Sequence, residues 1–231
     1  IEERAFCKCY SLTNITLPKR IKTIKSGVFA ACANLRSIVL PDGLEKISAD
    51  TFNSCYTLKS VKLPDSIKLI ASNAFYKCER LKNINMPAEL LAIYALAFRD
   101  CKSLESIKFP SKLKSIANNA FEGCSALRDV EFNDSLQAIG TSAFEKCYLL
   151  KDVHLNEVDI AEKAFSECYS LTDFSINGGQ IASDILTSCS NLKSLKIGRD
   201  VEFKNLDIAS LHKLKYIYKD SDQTCFVEDA G

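Results

Sequence analysis

The chain has 231 residues, 47% hydrophobic and 26% charged, the balance of a globular protein able to bury a large core. Lys and Arg number 30 against 29 Asp and Glu, so a net charge of +1 gives no whole-chain attraction for nucleic acid or an anionic membrane. The longest apolar run, LLAIYALAF at 90–98, is far short of the roughly 20 residues a spanning helix needs, so no membrane insertion is expected.

A repeat runs from the first residues onward. Ile1 aligns with Ile24, and IEERAF carries neither Met nor a leader, so the chain is expected to start in mid-coil as a fragment of something longer. Cys9, Cys32, Cys55, Cys78, Cys101, Cys124 and Cys147 are each 23 residues apart, and Cys168 and Cys189 follow at intervals of 21. Around each lies one frame: Phe, two residues, Cys, two, Leu, two, aliphatic, one, aliphatic. Phe29, Cys32, Leu35, Ile38 and Leu40 fill it early, and Phe121, Cys124, Leu127, Val130 and Phe132 fill it later.

Within each repeat, aliphatic-x-aliphatic before Pro, as in SIVLP and SVKLP, predicts a short strand with alternate side chains inward. Pairs such as Leu44/Ile47 and Leu90/Ile93 predict a second extended segment. Ser26, Ser72 and Asn118 are placed to cap a single helical turn, 3₁₀ or α, carrying Phe and Cys. A lone coil of 23 residues cannot enclose its apolar side chains, so parallel stacking must bury them. At roughly 1.5 to 3 kcal/mol per large side chain, an interior coil gains on the order of 10 kcal/mol gross, mostly offset by ordering entropy. After Asn133 the proline disappears, Leu186 replaces Phe, and a last coil aligns only on Ile208, Leu211, Leu214 and Ile217. Residues 1–204 are therefore expected to form the solenoid and 205–231 a C-terminal capping coil and tail.

The pattern AFxxCxxLxxIxLPxxLxxI resembles the repeat of the BspA-type leucine-rich repeat proteins, from Ile1 to about Lys219. The resemblance implies a β-rich, α/β-type, right-handed solenoid, here of about nine coils of 21 to 23 residues with parallel short strands and single helical turns. It also implies a non-enzymatic role in bacterial or protist surface proteins that bind host or extracellular partners.

One cysteine per coil makes a line rather than a tetrahedral cage, so no metal or other cofactor is expected. Parallel Cα–Cβ vectors keep neighbouring Cβ atoms about 4.8 Å apart, beyond the roughly 3.5 to 4.5 Å of a disulfide. Lying between apolar positions, the ladder cysteines read as buried fillers beside the Phe ladder, which leaves Cys7 and Cys225 as the candidate reactive thiols.

Outward positions of the main strand form a patterned polar face, the expected site for a protein or glycan ligand: Lys62, Asn85, Lys108, Asp129, Glu131, Asp152, His154 and Asp173. Lys59, Lys62, Lys82 and Lys108 make its first half basic; Asp129, Glu131, Asp152 and Asp173 make a carboxylate ridge. That ridge suits a basic partner or, less well, calcium, unless Arg128, Lys151 and Lys108 neutralise it. Glu131, His154 and Ser175 imitate a triad in one row, but a flat sheet offers no oxyanion donors or pocket, and no enzyme is expected. A second surface, off the sheet, gathers Leu69, Leu91, Tyr94 and Leu96 as a possible apolar contact patch. The expected protein is a monomeric binding module, extracellular or at a cell surface; a structural spacer and an intracellular scaffold are the alternatives.

Overall fold

Each repeat winds once around a shared core and lays two short strands on its neighbours. The computed structural model describes residues 1–198, 201, 210–219 and 224–226. The first strand row runs through Asn14–Thr16, Ser37–Val39, Ser60–Lys62, Asn83–Ile84, Ser106–Lys108, Asp129–Glu131, Asp152–Glu157, Asp173–Gly178, Ser194–Ile197 and Tyr216–Lys219. The second row runs through Lys46–Ile47, Leu69–Ile70, Ala92–Ile93, Ser115–Ile116, Ala138–Ile139 and Asp159–Ile160. Pairing within both rows is parallel and advances one repeat at a time, Ser37 on Ser60 and Ile70 on Ile93. The chain makes about eight turns, close to the nine expected. At the far end Thr224–Phe226 pairs antiparallel with Tyr216–Lys219. Leu211 and Leu214 of the expected capping coil are buried, while Ile208 and residues 205–209, 220–223 and 227–231 lie outside the described residues.

The alternation of side chains explains the strands. In Ser37–Val39, Ser60–Lys62 and Ser106–Lys108 the central Ile38, Val61 and Ile107 are buried and their neighbours exposed. Behind them the phenylalanines stack from Phe6 through Phe29, Phe52, Phe75, Phe98, Phe121 and Phe144 to Phe165. Neighbouring ring centroids lie 5.0 to 5.6 Å apart and the planes within 17° of parallel. One coil rise sets this spacing, so each ring is covered on both faces by its neighbours.

The expected helical turns are not helices; no α-helix occurs among the described residues. The Phe-Cys segment instead holds two left-handed residues four apart in successive coils: Gly27 and Ala31, Asp50 and Ser54, Asn73 and Lys77, Leu96 and Asp100, Asn119 and Gly123. A helix needs consecutive right-handed φ values, so each left-handed residue interrupts it. Alternate N–H groups consequently point to the next coil, as from Gly27, Phe29 and Ala31 to the carbonyls of Ala49, Thr51 and Asn53 at 2.9, 3.0 and 2.7 Å. Those between close tight turns, Ala30 to Gly27 and Cys32 to Phe29. The segment thus behaves as a kinked third ladder, satisfying its backbone through the neighbouring coil.

The first row is interrupted on one side only. Its ladder breaks between Asn83–Ile84 and Ser106–Lys108, and again before Asp152–Glu157, while the second row is continuous from Lys46 to Ile160. At the first break Phe109 and Phe132 replace the leucines that stand at 17, 40 and 63. Both pack edge-on against the ladder, Phe109 on Phe121 at 5.7 Å and Phe132 on Phe144 at 5.5 Å. A ring needs more depth than a leucine, and the sheet steps where the change occurs. Just before the step, the Asn85 amide substitutes for a strand backbone: its Oδ1 accepts from Leu63 N at 2.7 Å and its Nδ2 donates to Leu63 O at 2.8 Å.

Candidate functional site: the open face of the first strand row

The outward side chains of the first row share one face because the register holds them in columns. Thr16, Val39 and Lys62 are stacked partners, as are Lys108 with Glu131, Asp129 with Ser106, Asp152 with Asp173, and His154 with Ser175. Lys62, Asn85, Lys108, Asp129, Glu131, Asp152 and His154 are exposed, and Asp173 is half-buried.

Most ion pairs on this solenoid form along columns. Lys25 pairs with Glu2, Lys68 with Glu45, Lys102 with Glu79, Lys112 with Glu89, Lys82 with Glu105, Arg128 with Glu105, and Lys108 with Glu131 at 2.6 Å, each pair spanning one repeat. Exposed pairs of this kind contribute little to folding, so they set surface charge rather than stability. Arg36, Lys59 and Lys62 cannot pair in this way, because their columns offer Thr13, Val39, Lys82 and Asn85 rather than a carboxylate. Among the described residues these three cations make no ion pair.

Of the ridge's four carboxylates, Glu131 is paired with Lys108, while Asp129, Asp152 and Asp173 make no ion pair among the described residues. Arg128 is drawn to Glu105 and Lys108 to Glu131, so neither neutralises Asp129, Asp152 or Asp173. The Thr172 hydroxyl lies 3.2 Å from both Asp152 Oδ1 and Asp173 Oδ2 and 3.4 Å from Lys151 O, one proton among three acceptors. No group of three or more metal-ligating side chains among the described residues could hold an ion. The row of Glu131, His154 and Ser175 yields one contact, His154 Nδ1 to Ser175 Oγ at 2.8 Å, while Glu131 is engaged by Lys108.

Between the cationic and anionic ends lies a groove of about 860 Å³ at the sheet break. Met86, Phe109 and Phe132 line it below, and Asn83, Lys108 and Glu131 stand around it. Sequence reasoning missed this groove; its only signal was Phe in place of Leu at 109 and 132. It also passed over Val39, 76% exposed in the column of Lys62, and the exposed Tyr10, Tyr56, Tyr148 and Tyr169, each directly after a ladder cysteine. The off-sheet patch is divided: Leu91 and Tyr94 are 43% and 47% exposed, while Leu69 and Leu96 are partly covered.

The buried ladder cysteines are packing and hydrogen-bonding groups rather than a reactive site. Cys32 through Cys189 in the ladder are free and buried, and Cys7 and Cys9 are half-buried. Each buried thiol donates to the Phe carbonyl one coil back, Cys55 to Phe29 at 3.1 Å and Cys124 to Phe98 at 3.2 Å. Burial pushes the Cys32 thiol up to about 11 and Cys189 to about 12, and raises those of Cys78, Cys101, Cys147 and Cys168 well above the ordinary thiol value. The side chain of Cys225 lies outside the described residues.

Parallel coils with a patterned open face and an aromatic ladder define a leucine-rich repeat solenoid. Residues 1–102 and 91–215 match the description "BspA type Leucine rich repeat region", in six copies, and the chain belongs to that family. It is similar to a leucine-rich repeat protein from Bacteroides ovatus at 27% identity and a TM-score of 0.70, over 95% of this chain and 64% of that one. It is likewise similar to the T. pallidum leucine-rich repeat protein at 27% identity and a TM-score of 0.58, over 78% of each chain. None of the curated proteins matches. Repeat families of this kind are generally non-enzymatic, and among the described residues no helix is long and apolar enough to cross a membrane.

Proposed function

We propose that this chain is a non-enzymatic binding module, at a cell surface or secreted, that engages a macromolecular partner through the open face of its first strand row. The observation that carries the reading is charge segregation on one face: Arg36, Lys59 and Lys62 cluster on neighbouring coils, and Asp129, Asp152 and Asp173 cluster several coils further along, none of them in an ion pair among the described residues. Charge left free on a rigid face is what recognition uses and folding does not need. Surface placement rests on family membership. The test is a protein and glycan array probed with three forms: the native chain, a Lys62→Ala/Lys108→Ala/Glu131→Ala variant, and a Leu91→Ser/Tyr94→Ser variant. The expected result is binding lost in the first variant and kept in the second. The opposite pattern would move the site to the off-sheet patch, and binding unchanged in both would sink the reading.

A further inference from the structure

We infer that the partner presents an extended protein segment with carboxylates at one end, an apolar anchor in the middle and amines at the other. The segment lies along the solenoid axis, its acidic end on Arg36, Lys59 and Lys62. This inference rests on the open face being the binding surface and adds the chemistry and direction of what binds.

Three observations lie in sequence along one face. The coils of Ile38 and Val61 present Arg36, Lys59 and Lys62, all exposed and without an ion pair among the described residues, beside the exposed Val39. The sheet break follows, where the groove of about 860 Å³ opens over Met86, Phe109 and Phe132. The column of Asp129, Asp152 and Asp173 follows, three carboxylates against Lys151 on the rim, which makes no ion pair among the described residues; the coil beyond it presents Lys193 and Lys196.

A uniform polyanion such as nucleic acid, a sulfated glycan or an anionic bilayer would gain at the first end and be repelled at the carboxylate column. A uniform polycation would meet the reverse. Only a ligand whose charge changes sign along its length satisfies both ends, and polypeptide supplies both signs with an apolar anchor between. Strands stack about 4.8 Å apart, so the six steps from the coil of Arg36 to that of Asp173 span about 29 Å, the reach of about nine extended residues. Opposite signs at the two ends also oppose the reversed orientation.

Two synthetic peptides test this: one with three glutamates, a central Phe-Leu pair and three lysines in blocks, and an isomer with the charges alternating. Binding is read by fluorescence anisotropy, and a urea melt of each variant checks folding. The block peptide is expected to bind at least tenfold tighter than its isomer, and to lose about fivefold when the central pair becomes serine. Lys59→Glu/Lys62→Glu and Asp152→Lys/Asp173→Lys should each weaken it tenfold or more. Combining all four substitutions should restore binding, because the peptide can then dock reversed. Sensitivity to the substitutions without preference for the block isomer would overturn the bipolar arrangement and leave the open face standing. A block preference that none of the substitutions moves would overturn both, and no binding by either peptide would overturn the inference.

Discussion

A thiol is a weak hydrogen-bond donor, yet successive ladder cysteines give their S–H to a phenylalanine carbonyl of the coil before, Cys78 to Phe52 and Cys101 to Phe75 at 3.2 Å. The same carbonyls accept a backbone bond within their own coil, as Phe52 does from Cys55 and Phe75 from Cys78, so the thiol fills the second lone pair. Serine would supply a stronger donor but bury a costlier group beside stacked rings; cysteine combines a donor with apolar bulk. Burial holds these thiols neutral, which ties stability to pH. The folded chain keeps protons that unfolded thiols release above about pH 8.5, so the stabilisation is complete below that pH and declines as pH rises toward about 11. Each buried thiol adds a slope of up to about 1.4 kcal/mol per pH unit. The urea midpoint is expected to change little up to about pH 8.5 and to fall steeply above about pH 9. A Cys78→Ala/Cys101→Ala variant should show a shallower fall, and an equal slope in that variant would remove the thiols as the cause.

At the scale of the element, the strands were legible and the turns were not. Aliphatic-x-aliphatic before Pro identifies both the strand and its inward residue, because a two-residue period has one physical meaning. The kinked segment gave no comparable signal. Its left-handed positions hold Leu96, Lys77, Lys146 and Glu167 as well as Gly27 and Gly123, residues whose own preferences point elsewhere. The conformation is imposed from outside, by hydrogen bonds to the next coil that a single repeat cannot reveal. The same holds for the candidate face, where outward columns followed from register but the groove required knowing how Phe109 and Phe132 pack. Asn73, with φ of 56° and its N–H donated to Ala95 O at 3.1 Å, isolates the effect. Asn73→Gly should stay within about 0.5 kcal/mol of the native chain, since glycine adopts this conformation freely. Asn73→Ile should lose about 2 kcal/mol, because a β-branched side chain clashes there. Equal stability of the two by urea denaturation would show that backbone conformation is not what matters at this position.

Over the whole molecule, every ladder joins adjacent coils, and the element that ties them lengthwise is the phenylalanine stack. Stability in such a structure is close to a sum of coil terms and nearest-neighbour interfaces, so damage should stay local. The centre makes the sharpest test. Phe98 lies 5.0 Å from both Phe75 and Phe121, next to the break in the first strand row, where the ring stack and the second row bridge coils that the first row does not pair. Phe98→Ala removes both stacking partners and leaves a cavity, at a cost of about 3 to 5 kcal/mol. Amide exchange is expected to quicken first in the coils between Phe75 and Phe121, with protection retained toward Phe29 and Phe165. Phe29→Ala, near one end, should loosen its own neighbours and leave the centre protected. Uniform quickening across residues 1–198 in either variant would mean that the coils unfold as one unit, and that the interrupted sheet transmits strain as fully as the continuous one.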